Sequence, residues 1–180
     1  MIPQAVGRRR RGEEHGIREC MGPVHYIPRI RDLYARLGYK SYHWVVNEDT
    51  APWAPLPKPM SRCRLGMAAS GGIYVTGQTA FHYKDDTSIR EIPADVDTRD
   101  LRATHFAYDL SDARKDPNVV FPIDTLRRLV REGFLGGLSN RIYTFMGGIY
   151  SSRRVAEDLA PRLTGRFLED GVDAVLLVPV

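Results

Sequence analysis

The chain has 180 residues, 43% of them hydrophobic and 27% charged, which suits one globular domain; a chain of that size buries about 70% of its unfolded surface. Its two cysteines, Cys20 and Cys63, exclude a disulfide scaffold and supply no CxxC pair for zinc. Of the net charge of +4, half lies in residues 1–22, where Arg8, Arg9, Arg10, Arg11 and Arg18 face Glu13, Glu14 and Glu19. Without interleaved aromatics this run reads as a basic disordered tail, or as a mis-assigned start ahead of Met21, so nucleic acid is not the expected partner. No apolar run approaches the ~18 residues of a membrane span, and no apolar segment follows the basic start. A cytoplasmic protein with no membrane association is expected.

In chain order, Ile30, Leu33, Tyr34 and Leu37 recur at intervals of three and four, with Pro28 suited to a first helical turn and Gly38 to a cap. That predicts a helix over 28–37. Tyr39 to Pro59 carries Tyr42, Trp44, Trp53 and prolines 52, 55, 57 and 59, so it is expected to run extended over the domain. Arg64–Ser70 is a short apolar run stopped by Gly71-Gly72, which predicts a buried strand and a tight turn. Residues 76–118 read as loop, apart from a second strand over Ala103–Tyr108.

Pro122–Glu132 reads as a helix ended by Gly133, and Leu138–Met146 as a strand ended by Gly147-Gly148. Ser151–Asp170 reads as a long helix, with Val155, Leu159, Leu163 and Phe167 spaced by four and Pro161 kinking or dividing it. Val172–Val180 reads as a last strand, buried on both faces like a central parallel strand. The fold class is therefore α/β: a Rossmann-like, incomplete parallel sheet with covering helices and strands near 64–70, 138–146 and 172–180. Residues 23–180 form one domain in this reading.

Ligands of such sheets sit at the carboxyl ends of the strands. Ser70, Gly71 and Gly72 lie at one such end, where paired glycines let backbone amides approach an anion and a serine hydroxyl adds a donor; an ordinary turn is the alternative. Ser88 and Arg90 lie in the loop DDTSIREIP, where an arginine either forks onto a substrate carboxylate or pairs with Asp86 or Glu91. In HFAYD, an extended chain puts His105 and Asp109 on one face, an arrangement suited to proton transfer at neutral pH; a structural histidine is the alternative. His25, His43 and His82 lack matching partners, His15 lies in the tail, and no metal site is expected. Cys63 reads as a buried, inert thiol.

Taken in order, Tyr39–Asp49, the SGG turn, SIREIP, HFAYD, Asn118–Pro122, Tyr143–Met146 and DGVDAVLLVPV resemble the selenoprotein B family of glycine, sarcosine, betaine and D-proline reductases. The resemblance is strongest to the D-proline-reductase-like members and runs from about Tyr26 to Val180. It implies a substrate-activating oxidoreductase component that cleaves a C–N bond of a small amino acid or amine, with a dithiol oxidised to a disulfide. It also implies partner subunits, and it allows a homo-oligomer.

In the family the nucleophile is a selenocysteine or cysteine directly after a strand resembling Val172–Val180. The resemblance therefore implies that 23–180 is the N-terminal part of a longer reductase domain and that this chain alone is inactive. It implies no cofactor within the chain itself. By the same resemblance Ser70, Gly71 and Gly72 hold the substrate carboxylate or shape the pocket floor, Ser88 and Arg90 lie along the pocket, and His105 with Asp109 protonates the leaving amine. Two other classes stay open, a non-catalytic interaction subunit and a cofactor-free racemase or lyase. An NAD enzyme is disfavoured, because no GxGxxG follows a strand.

Overall fold

The computed structural model describes residues 25–40 and 45–180. The basic tail, Cys20, Tyr42, His43 and Trp44 lie outside the described residues. Two units are distinguished, Met1–Asn47 and Glu48–Val180. In the first, α1 spans Tyr26–Arg36 and stops at Gly38, whose φ of +82° favours a residue without a Cβ.

In the second, residues 48–59 form no helix or strand and are exposed throughout, Trp53 to 89%. The large sheet is built around β1 (Arg64–Ala69). On one side β1 pairs in parallel with β7 (Ala174–Val178) along five residue pairs. On the other, its first residues pair with β5 (Gly137–Leu138) and its last with β6 (Arg141–Thr144), both parallel. Beyond β6 lies β3 (Arg90–Pro93), antiparallel, so the sheet is mostly rather than wholly parallel. A separate antiparallel pair joins β2 (Ile73–Val75) to β4 (Leu101–Ala103).

Alternation along β1 assigns its side chains to two cores. Leu65, Met67 and Ala69 face a cluster with Ile73, Ile92, Phe121, Ile123, Leu126 and Ile142, which includes the buried side of α3 (Ile123–Arg131). Ala68 faces Tyr143, Leu159, Leu163 and Phe167, so α5 (Ala160–Glu169) lies on the opposite side. Gly66 is required here: a Cβ would stand 2.8 Å from the Phe167 ring. Each fully buried Leu, Ile or Phe contributes about 1.5–3 kcal/mol to these layers.

Several expectations need correction. Leu138–Met146 is two strands interrupted at Ser139–Asn140, after which the chain stays beside β1 and also takes up β3: Ser139 N–H donates to Leu65 O, and Asn140 O accepts from Ala94 N–H. The last strand is an edge, not a central strand. Ala174, Leu176 and Val178 pack on the core, whereas Val175 and Leu177 are 40% and 68% exposed. The strand expected over Ala103–Tyr108 ends at Ala103, and the loop reading of 76–118 misses β3 and α2 (Ser111–Lys115). The long helix, by contrast, is interrupted near Pro161 as its proline implies: α4 (Ser152–Arg154) and α5 flank a π-turn, Val155–Leu159, just before Pro161. Wider winding there absorbs the proline's missing N–H.

At the amino end of β6 a polar cluster pins the end of α5. Asp170, with a side chain only 7% exposed, accepts from Ser139 Oγ at 3.0 Å, Tyr143 OH at 2.7 Å and Arg141 Nη2 at 2.5 Å. Beside it Arg166 binds Glu91. Burial pushes the Asp170 carboxyl up, but the donors from Tyr143, Arg141 and Ser139 outweigh it and hold it below the usual value. Because its folded pKa is depressed, this carboxylate stabilises the fold above about pH 4, and that contribution is lost as pH falls through the folded value. Asp170→Asn should lower stability at pH 7 by about 2–4 kcal/mol in urea titrations and flatten the acid limb of the stability–pH curve.

Candidate active site

The carboxyl ends of β1, β6 and β7 meet at Ser70–Gly72. Ser70 N–H donates to Val178 O at 3.0 Å, and Ser70 Oγ accepts from Val180 N–H at 2.9 Å. Ser70 O accepts from Gly147 N–H at 2.8 Å, and Gly72 N–H donates to Phe145 O at 3.0 Å. The turn is thus stitched to both neighbouring strands. Gly72 has φ +69°, and a Cβ there would lie 2.0 Å from Thr104 O. No other residue type fits.

The amides of Ser70 and Gly72 and the Ser70 hydroxyl are engaged within the protein and shape the turn. Its walls come from residues that the sequence reading passed over. Tyr108 OH donates to Gly71 O at 2.8 Å, and Val120 stands 3.0 Å from where a Gly71 Cβ would be. The Phe106 ring covers Gly148, where a Cβ would lie 2.2 Å from it. The second glycine pair, Gly147-Gly148, is the signal that could have revealed this wall.

His105 lies against the turn, its Cβ 3.6 Å from the position of a Gly72 Cβ, and it is 9% exposed. Its ring packs on Tyr108 at 4.7 Å and on Phe106 at 5.8 Å between centroids. Nδ1 accepts from Ala107 N–H at 3.0 Å, and Nε2 is buried with no hydrogen-bond partner among the described residues. Burial lowers its pKa. Asp109 is not brought to it. The chain bends after Thr104, and the Asp109 carboxylate instead accepts from Ser111 N–H at 2.8 Å, which holds its pKa low. The alternation argument fails because no strand continues past Ala103.

Antiparallel pairing of Arg90 with Thr144 brings Ser88 and Arg90 to the same edge of the sheet, two strands or about 10 Å from β1. The Arg90 guanidinium donates to Thr79 O at 2.7 Å, Ser88 Oγ at 2.8 Å and Ala80 O at 3.3 Å, and lies 4.3 Å above the Phe81 ring. Ser88 Oγ in turn bonds Asp86. Arg90 therefore meets neither Asp86 nor Glu91 directly and chiefly fastens the loop. Cys63 is fully buried at the other end of β1, roughly 20 Å from Ser70. Among the described residues no group of three or more His, Cys, Asp or Glu is placed to hold a metal, and no helix is long and apolar enough to cross a membrane.

Residues 38–180 match the model of the glycine/sarcosine/betaine reductase selenoprotein B family. The chain belongs to this family. It is 33% identical over 148 residues to the D-proline reductase subunit gamma of Acetoanaerobium sticklandii, covering 82% of this chain and 61% of that protein. It is 32% identical to the sarcosine reductase complex component B subunit beta of Peptoclostridium acidaminophilum, over 72% of this chain and 30% of the relative. The glycine reductase complex component B subunit gamma of the same organism is 30% identical, over 67% of this chain and 28% of its own length. The chain thus matches less than two thirds of the length of each of these selenoprotein B relatives. No solved structure matches it.

The SGG turn is the most constrained element of the candidate site. Gly72→Ala should cost at least about 3 kcal/mol, through positive φ and the collision with Thr104 O, and should lower the melting temperature sharply in calorimetry.

Proposed function

We propose that this chain forms part of the substrate-activating component of a thiol-driven reductase acting on a small amino acid or amine. One observation carries the reading: the SGG turn, the end of β7 and the buried His105 converge at a single edge of a family sheet. The overall change replaces a C–N bond by C–H, while a dithiol closes to a disulfide. The two thiol hydrogens end on carbon and nitrogen, and the two electrons reduce the cleaved bond.

The selenolate or thiolate that the resemblance puts directly after a strand like β7 would attack the carbon bearing nitrogen. This chain's own residues would do the rest. Ser70 Oγ, by accepting the Val180 N–H, fixes the direction in which the chain leaves β7. The glycines keep the floor flat enough for a small ligand, and Phe106 and Tyr108 restrict water. His105 is the group at this edge able to hold or move a proton, with Asp109 turned to Ser111. Neither cysteine replaces the nucleophile in this reading, and partner subunits in the cytoplasm complete the system.

Glycine, sarcosine, betaine and D-proline, each incubated with dithiothreitol and the full-length component with its partner subunits, test this directly. Release of an amine or ring-opened product from one of them, lost when the thiol is omitted, is expected. Release that needs no thiol would point to lyase chemistry instead.

A role in assembly is favoured by a separate observation. Val175 and Leu177, on the face of β7 turned away from the Leu65–Met67 core, and Leu168 near the end of α5 are exposed apolar residues. Leu177→Glu should reduce association in light scattering while leaving far-ultraviolet circular dichroism unchanged.

A further inference from the structure

An amino-acid ligand brings a carboxylate, and a carboxylate in a closed site requires donors. At the carboxyl edge of this sheet most donors are already engaged. Ser70 N–H, Gly72 N–H and Tyr108 OH bond backbone carbonyls of the protein. Three nitrogens of Arg90 bond Thr79, Ala80 and Ser88. Among the buried side chains of this edge His105 is the exception, its Nε2 having no partner among the described residues. The other buried unpaired nitrogen, Arg64 Nε, belongs to the first residue of β1, at the opposite end of that strand.

The protonation of the ring follows from its neighbours. Nδ1 accepts the Ala107 N–H at 3.0 Å, so in the neutral ring the hydrogen must reside on Nε2. Burial disfavours the charged ring, and Phe106 and Tyr108 hold its plane. The result is an oriented neutral donor with no recipient inside the protein. Leaving such a group unmatched costs about 1–3 kcal/mol, which a ligand acceptor would recover.

We infer that His105 Nε2–H receives a carboxylate oxygen of the amino-acid ligand, as a binding donor rather than as the acid that protonates the leaving amine. This rests on the small-amino-acid reading above. It changes the role of His105 from proton carrier to specificity-determining residue: ligands without an acceptor at that position lose this contact.

The test uses the uniformly 15N-labelled full-length component, titrated with glycine, D-proline, acetate and pyrrolidine. The free protein should show His105 as the Nε2–H tautomer. The amino acids and acetate should then shift the Nε2 signal, and pyrrolidine, which lacks a carboxylate, should not. His105→Phe, which keeps the aromatic packing, should weaken amino-acid binding about tenfold or more. His105→Gln, which retains a donor near the same position, should stay within about threefold of the parent.

A hydrogen found on Nδ1 overturns the inference at once. Ligands that shift the Ser70–Gly72 amides but leave His105 unmoved overturn it while the small-molecule reading survives. If no ligand shifts any amide, both fall together. Should His105→Phe fail to fold, the tautomer and titration of the parent protein still decide the matter.

Discussion

Everything in the larger unit depends on β1 being hydrogen-bonded along both edges. It is the one strand that contacts β5, β6 and β7, and its sequence suits that position. Leu65 and Met67 fill one core, while Gly66 and Ala68 present a nearly flat surface on which Phe167 and Leu163 of α5 rest. A larger residue at 66 would lift α5 away from the sheet, and with it the Asp170 cluster that ties the end of α5 to β6. The polar cluster at one end of the strands and the glycine turn at the other are therefore joined through β1.

That arrangement separates rigidity from chemistry. At the amino end, Asp170 collects Ser139, Arg141 and Tyr143, and its carboxylate keeps the Tyr143 phenol from ionising: burial first, then that charge, pushes the phenol up. These groups satisfy one another. At the carboxyl end the amides of Ser70 and Gly72 are bonded too, yet the His105 side chain is enclosed without a partner among the described residues. In an α/β sheet an unmatched donor at that edge lies where ligands are expected.

Much of the scaffold was legible in the sequence, because hydrophobic period and glycine stops report it directly. Gly38, Gly133 and Gly171 end their helices with positive φ, and SGG ends β1 as expected. What escaped depended on neighbours rather than on period. Val172–Val180 looks central because Ala174–Val178 is apolar throughout, but hydrophobicity does not reveal what covers Val175 and Leu177. Arg90–Pro93 was hidden because Pro93 and two charged residues disguise an edge strand. His105 and Asp109 were placed together by an alternation that the bend at Phe106–Tyr108 abolishes. Tyr108 entered the site through a hydroxyl bond to Gly71 that spacing along the chain does not encode.

The pairing of β1 with β7 also has a temporal meaning. Residues 65–69 find their partners at 174–178, more than a hundred positions later. During vectorial synthesis the central strand stays unmatched on that edge until nearly all of this segment has emerged, a loop closure late in folding. Met67 and Leu65 are exposed in the interim, beside α3 and β6, which are made earlier. The nascent chain thus has a window in which its most deeply buried strand is open to wrong pairing. The bond from Val180 to the Ser70 hydroxyl forms at the close of that window, so the site takes shape last.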